Sequence, residues 1–261
     1  MASLTRREFV ARMSSASLLG FAGCGFDLFA APGNGAAKLT ARPHTPTHIL
    51  SAGTHKLGLG GDRDGYLLIP QTLADKSGAT LLLALHGAGI GASGPRDFLG
   101  PYAEERGFVL LAPDARGITW DAIRSGFGPD IEFIDRALAF AFDSCLINPD
   151  RVYIEGFSDG ASYALGVGPL NPDLFKRVIA FSPGFITAAA HAVNGLPEIF
   201  ISHGRQDPVL SYANTEGNIA PTLYNEGFPI TFVPYDGEHS VPPGVARQAV
   251  DWMLSPLTPR Q

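Results

Sequence analysis

The sequence predicts a three-layer α/β sandwich built on a mostly parallel sheet. Short apolar runs recur along the body of the chain and are nearly continuous in Val, Ile, Leu and Phe, as strands covered on both faces require. Amphipathic or Ala-rich stretches separate the later runs, and strands alternating with helices make parallel units joined by crossovers. With 261 residues, 45% hydrophobic and 17% charged, the chain is long enough for one large core.

In chain order the strand runs are DGYLLIP (64–70), ATLLLALHG (79–87), GFVLLAPDA (107–115), RVYIEGF (151–157), RVIAFSPG (177–184), EIFISHG (198–204) and ITFVPYDG (230–237). The stretch 130–146 places Ile131, Ile134, Leu138, Ala141 and Phe142 at helical spacing, with Asp130 as its N-cap and Pro149 beyond its end. A second helix over 212–227 ends in Gly227, and a third begins at Pro243 and closes before Pro256. Residues 38–48, rich in Pro, Thr and His and without periodicity, read as a linker, and 49–261 as a single domain.

The N-terminus differs in kind. Arg6 and Arg7 precede an uncharged run from Met13 to Phe26 and then small residues, the layout of an export signal, and the Arg pair resembles the twin-arginine type. Residues 1–37 are therefore expected to be removed on export to the periplasm or beyond, with cleavage after Ala30 or near Ala36 and Ala37. The uncharged run is shorter than the ~20 residues a membrane-spanning helix needs. Two alternatives stand beside this reading: a cytosolic helix that carries two arginines, and a lipid anchor at Cys24.

The formal charge of −6 argues against a nucleic-acid partner, because such binding rests on Lys and Arg neutralising phosphates. Removing 1–37 takes away three basic and two acidic residues and leaves −7. Of the two cysteines only Cys145 would remain, which leaves no intrachain disulfide to form. No zinc-ligand spacing appears, and no metal or organic cofactor is expected.

Three places carry chemistry. Gly156-Phe157-Ser158-Asp159-Gly160 fits G-x-S-x-G and sits between a strand and a helical pattern, the context that a nucleophile elbow requires. Its bland counterpart is a serine N-cap on an ordinary turn. His86-Gly87-Ala88-Gly89 ends a strand in small residues that let backbone N–H groups approach a ligand, so Ala88 N–H and Asp159 N–H are expected to form an oxyanion hole. A plain tight turn is the alternative there. His86 itself reads as structural. A serine needs a base and the base an orienter; Asp207 and His239 follow the last two strands, in the order Ser, Asp, His. Asp236 and Glu238 compete with Asp207. His203 reads as a buried packing residue, and His44, His48, His55 and His191 as loop or edge residues.

From about Gly53 to Leu254 these motifs, together with APDARGITW, SHGRQDPV and GEHSVPPGV, resemble the phospholipase/carboxylesterase branch of the α/β-hydrolase superfamily, near the acyl-protein-thioesterase-like members. The DIEFID and NPDRVY segments are also similar to polyhydroxybutyrate-depolymerase and feruloyl-esterase-like secreted proteins. The resemblance implies the α/β-hydrolase fold with about eight strands, Ser158 as nucleophile with Asp207 and His239, and Trp120 near the substrate pocket, where core packing is the alternative. Asp159 departs from the glutamine usual among thioesterase-like members. A carboxylate beside the oxyanion disfavours negative charge unless it turns away or is paired.

The expected function is hydrolysis of small to medium, water-soluble esters or thioesters through an acyl-enzyme, by a monomer or homodimer. Only 116–129 and 182–197 are long enough to wall a pocket. A polyhydroxyalkanoate-oligomer or feruloyl/aryl esterase is the close alternative. From another class comes an exported binding protein that keeps the scaffold without turnover. A dehalogenase is disfavoured, since it needs a carboxylate where Ser158 stands.

Overall fold

A computed structural model describes residues 37–73, 78–187 and 196–258. The calls on Arg6, Arg7, Cys24 and His191 lie outside the described residues. Eight strands form one sheet: β1 (Gly53–Lys56), β2 (Gly65–Ile69), β3 (Ala79–Leu85), β4 (Val109–Pro113), β5 (Ile147–Phe157), β6 (Arg177–Phe181), β7 (Glu198–Gly204) and β8 (Ile230–Tyr235). Their order is β1-β2-β4-β3-β5-β6-β7-β8; β1 and β2 pair antiparallel, as do β2 and β4, and every other pair is parallel. All seven apolar runs are strands. β1 carries no apolar signal, because its GTHK sequence alternates between half-buried and exposed at the sheet edge.

Both faces of the sheet are covered over its centre, which is why β3, β4 and β6 are buried at every position. Helix α1 (Ser93–Arg106) and helix α5 (Pro243–Leu254) lie over one face with Leu82, Ala84, Tyr153 and Phe200. Helix α2 (Pro129–Ser144) and helix α3 (Asp159–Leu170) cover the other with Leu81, Leu83 and Ile154. The helical stretch over 212–225, designated α4, contains a π-turn at Thr215–Ile219. Each large side chain buried this way is worth about 1.5–3 kcal/mol relative to exposure.

Helix α1 has no counterpart in the sequence reading. Gly94, Pro95, Gly100 and Pro101 lower its intrinsic propensity, and burial of Leu99 and Ala103 holds it in place. Helix α2 starts two residues earlier than expected, at Pro129 after Gly128, so Asp130 is not its N-cap. The Asp130 carboxylate instead accepts the N–H groups of Arg116 and Asp121, tying the 116–121 loop to the helix.

Residues 38–48, expected as a linker, run as an extended strap that is hydrogen-bonded to the domain. Asn171 accepts the Leu39 N–H and donates to the Ala37 carbonyl, while Asp135 accepts the Thr40 and Ala41 N–H groups. Ala37 and Leu39 are buried in the core. Among the described residues no helix is long and apolar enough to cross a membrane, and no cluster of His, Cys, Asp or Glu is arranged to hold a metal ion.

Candidate active site

Ser158 stands on the turn between β5 and α3 with φ 57° and ψ −118°, a conformation a non-glycine residue adopts only where its surroundings enforce it. Its two glycine neighbours make the turn possible by contact. A Cβ on Gly156 would lie 2.1 Å from the Gly160 carbonyl oxygen, and one on Gly160 would lie 2.2 Å from that of Leu85. Strand and helix therefore meet backbone to backbone. The Ser158 N–H donates to Phe181 O at 2.9 Å and anchors the turn to β6.

The loops after β7 and β8 bring the other two groups to this serine. A Cβ on Gly204 would lie 2.4 Å from Gly237 O, and Gln206 N–H donates to that carbonyl, so the loops are in direct contact. The Tyr235 hydroxyl sits between the carbonyls of Glu238 and Ser240 and holds the imidazole-bearing turn. His239 Nε2 is 2.9 Å from Ser158 Oγ, and His239 Nδ1 is 2.6 Å from Asp207 Oδ2. Because a carboxylate only accepts, the ring proton belongs on Nδ1, which leaves the Nε2 lone pair facing the serine hydroxyl. The Phe157 ring lies 4.8 Å from the imidazole.

Asp207 has no exposed side-chain surface. Burial opposes its charge, but the Leu210 N–H, His239 and the Val209 N–H outweigh that and hold its pKa below the usual range. Asp236, the competing acid, is 72% exposed and faces Arg205.

His203 does more than pack. Its Nε2 lies 3.0 Å from Asp207 Oδ2 and 3.1 Å from Leu210 O, and its Nδ1 lies 2.9 Å from Thr215 Oγ1. Burial pushes its pKa down, and Nε2 is within hydrogen-bond distance of Leu210 O beside the carboxylate oxygen that His239 uses. The spacing of four residues between His203 and Asp207 was the available signal.

The 118–120 segment holds the expected oxyanion loop at three consecutive residues. Gly89 N–H donates to Ile118 O, Thr119 Oγ1 donates to Asp159 Oδ2 at 2.6 Å, and Trp120 Nε1 donates to His86 O at 2.8 Å. Among the described residues no group accepts from the Ala88 N–H. The Asp159 N–H opens α3, where a helix has no internal acceptor to offer. His86 donates from Nδ1 to Gly87 O and accepts the Ala115 N–H at Nε2, and burial lowers its pKa, so it braces the loop as a neutral ring.

Trp120, expected near the substrate pocket, is fully buried beneath the loop against Tyr163. The cleft beside Ser158, about 220 Å³, is lined by Ile90, Pro95, Phe98, Phe157, His239 and Val241, while Trp120 adjoins a second cleft along 116–130. Such a cleft accepts a short apolar group next to the serine and imidazole.

Residues 123–249 match the family described as phospholipase/carboxylesterase. An acetylxylan esterase of Coprinopsis cinerea is 31% identical over 121 residues, 41% of this chain and 31% of that protein. A bifunctional acetylxylan esterase/xylanase of Neocallimastix patriciarum is 28% identical over 170 residues, 62% of this chain and 24% of that protein. The chain thus spans less than a third of the length of these curated relatives. The substrate-bound fluorophosphonate-binding serine hydrolase F of Staphylococcus aureus is similar in structure, with a TM-score of 0.62 and 13% identity, covering 79% of this chain and 100% of that one. The sheet topology and the structural likeness give the chain the α/β-hydrolase fold, and residues 123–249 are similar to the phospholipase/carboxylesterase family.

Proposed function

We propose that the protein hydrolyses carboxylic esters through an acyl-enzyme on Ser158. The observation that carries this reading is the unbroken chain of contacts from Ser158 Oγ through His239 to Asp207. His239 Nε2 takes the serine proton as Oγ attacks the ester carbonyl carbon, and Asp207 supports the imidazolium. The N–H groups of Ala88 and Asp159 donate to the tetrahedral oxyanion. As the carbon–oxygen bond to the alcohol breaks, His239 returns the proton to the leaving oxygen. Water, deprotonated by the same imidazole, then releases the acid and restores Ser158.

The small apolar cleft supports a short acyl group, and the similarity to acetylxylan esterases supports acetyl esters first. A fluorophosphonate probe tests the reading: labelling that disappears in Ser158→Ala is the expected result. Equal labelling of both proteins, or none of the wild type, would overturn it in favour of a non-catalytic binding protein.

A second reading, an aryl or polyester-oligomer esterase, draws on one feature. Ile90, Ile118 and Val209 are large apolar residues exposed on the three loops that surround the site. Faster turnover of feruloyl esters or hydroxybutyrate oligomers than of acetate esters would favour it.

We also infer export through the N-terminal segment, on the strength of Arg6, Arg7 and the uncharged run that follows. The packing of Ala37 into the core and its bond to Asn171 support a cleavage before it. Arg6→Lys combined with Arg7→Lys should abolish periplasmic activity.

A further inference from the structure

We propose that Asp159 is a specificity-determining residue whose carboxylate accepts a hydrogen bond from a free hydroxyl on the alcohol side of the ester, next to the carbon that bears the acyl group. The proposal deepens, and rests on, the serine-esterase reading above. The class of substrate it selects is the partially acylated polyol or sugar.

Asp159 occupies an awkward place for a negative charge. Its own N–H points where the oxyanion forms, so a carboxylate on the same residue raises the energy of that intermediate unless it is partnered. One partner is present: the Thr119 hydroxyl on Oδ2. Among the described residues, Oδ1 has no donor and Asp159 makes no ion pair. Asp159 is partly exposed, whereas Ser158 and Thr119 on either side of it are buried.

The dimensions suit a neighbouring hydroxyl. The amide nitrogen and carboxylate oxygens of one aspartate lie roughly 3–4 Å apart from standard bond lengths. An ester carbonyl oxygen and a hydroxyl oxygen on the adjoining carbon of a polyol span a similar distance. One residue can therefore hold both, the carbonyl oxygen through its N–H and the hydroxyl through Oδ1. That hydroxyl also shields the carboxylate from the oxyanion, so the contact strengthens as charge develops and favours the transition state.

The position of Thr119 gives the direction. It lies on the 116–130 wall, whose cleft of about 220 Å³ is lined by Arg124 and Ser125 together with Ile118 and Pro129, on the side of the serine away from the apolar cleft at His239. The cleft on the His239 side is lined by apolar residues and suits the acyl group.

The test compares two acetates with the same alcohol carbon count, propyl acetate and glycerol 1-monoacetate, on the purified protein. Wild type should favour the monoacetate in kcat/KM. Asp159→Asn should lower kcat/KM for the monoacetate and raise it for propyl acetate, moving their ratio about tenfold, the worth of one hydrogen bond to a charged group. Thr119→Val, which releases the carboxylate without removing it, should reduce the ratio as well and serves if Asp159→Asn does not fold. Ethyl butyrate against ethyl 3-hydroxybutyrate should show no such dependence on Asp159; a dependence there would overturn the alcohol-side assignment. A ratio that moves less than twofold, or a parallel fall for both acetates, would overturn the proposal. Fluorophosphonate labelling of Ser158 keeps the two readings apart. If labelling is present and the ratio fixed, only the hydroxyl contact fails; if the wild type is not labelled, the esterase reading itself fails.

Discussion

His203 Nε2 lies 3.0 Å from Asp207 Oδ2, the same carboxylate oxygen that stands 2.6 Å from His239 Nδ1. One acid thus holds two imidazoles, of which only His239 reaches Ser158. On the proposed serine-esterase reading, His203 is predicted to act through Asp207 as a positioning residue. His203→Phe keeps the ring and removes the polar contacts to Asp207 Oδ2 and Leu210 O, so kcat should fall several-fold, with little change in KM. Asp207 would lose support for its charge, so the acid limb of the kcat–pH profile should move to higher pH. An unchanged profile would assign His203 to packing alone.

Removing the reacting groups should cost far more. Ser158→Ala is expected to lower kcat by about 10⁶-fold and Asp207→Asn by about 10⁴-fold, the scale seen when such residues act as a unit. Steady-state kinetics on a 4-nitrophenyl ester measures both. A Ser158→Ala enzyme within tenfold of wild type would remove the serine from the mechanism.

Trp120 is predicted to matter through one hydrogen bond. Trp120→Phe keeps most of the ring packing against Tyr163 but leaves the His86 carbonyl without its indole donor. Stability should drop by about 1–3 kcal/mol, as for any buried acceptor left unsatisfied. Because His86 opens the oxyanion loop, kcat should fall several-fold while KM for a short ester stays near wild type. Denaturant melts and kinetics on the same preparation separate the two effects.

Glu155 governs an alkaline weakness. It sits on β5 three residues before Ser158, fully buried, with neither carboxyl oxygen partnered among the described residues, and burial pushes its pKa well above the usual value. The folded protein therefore keeps a proton that the unfolded chain gives up. Stability from this group is complete below the unfolded pKa and is lost as pH rises toward the folded value. Glu155→Gln carries no such proton, so its Tm should decline less than that of wild type between pH 6 and 9. Parallel curves would mean that Glu155 is ionised or has a partner in solution.

Much of this was legible from the residues alone. Seven strands declared themselves because burial on both faces demands apolar residues at every position, and the glycines around Ser158 marked a turn that only they allow. The order of Ser158, Asp207 and His239 followed from which loops come after which strands. β1, however, is a polar edge strand whose pairing with β2 supplies what its composition does not. Helix α1 forms against its own glycines and prolines because the sheet face it covers must be buried.

The sequence by itself determined the local chemistry: a serine on an enforced bend, an acid and a histidine after late strands, and a carboxylate beside the oxyanion. Only the tertiary structure decided the partners, because hydrogen bonds between residues far apart in the chain depend on where loops meet. It set a second imidazole beside Asp207, bonded the Trp120 indole to the His86 carbonyl, and set Thr119 against Asp159. That last contact separates forty positions in the chain by 2.6 Å in space, a distance that no pattern in the sequence encodes.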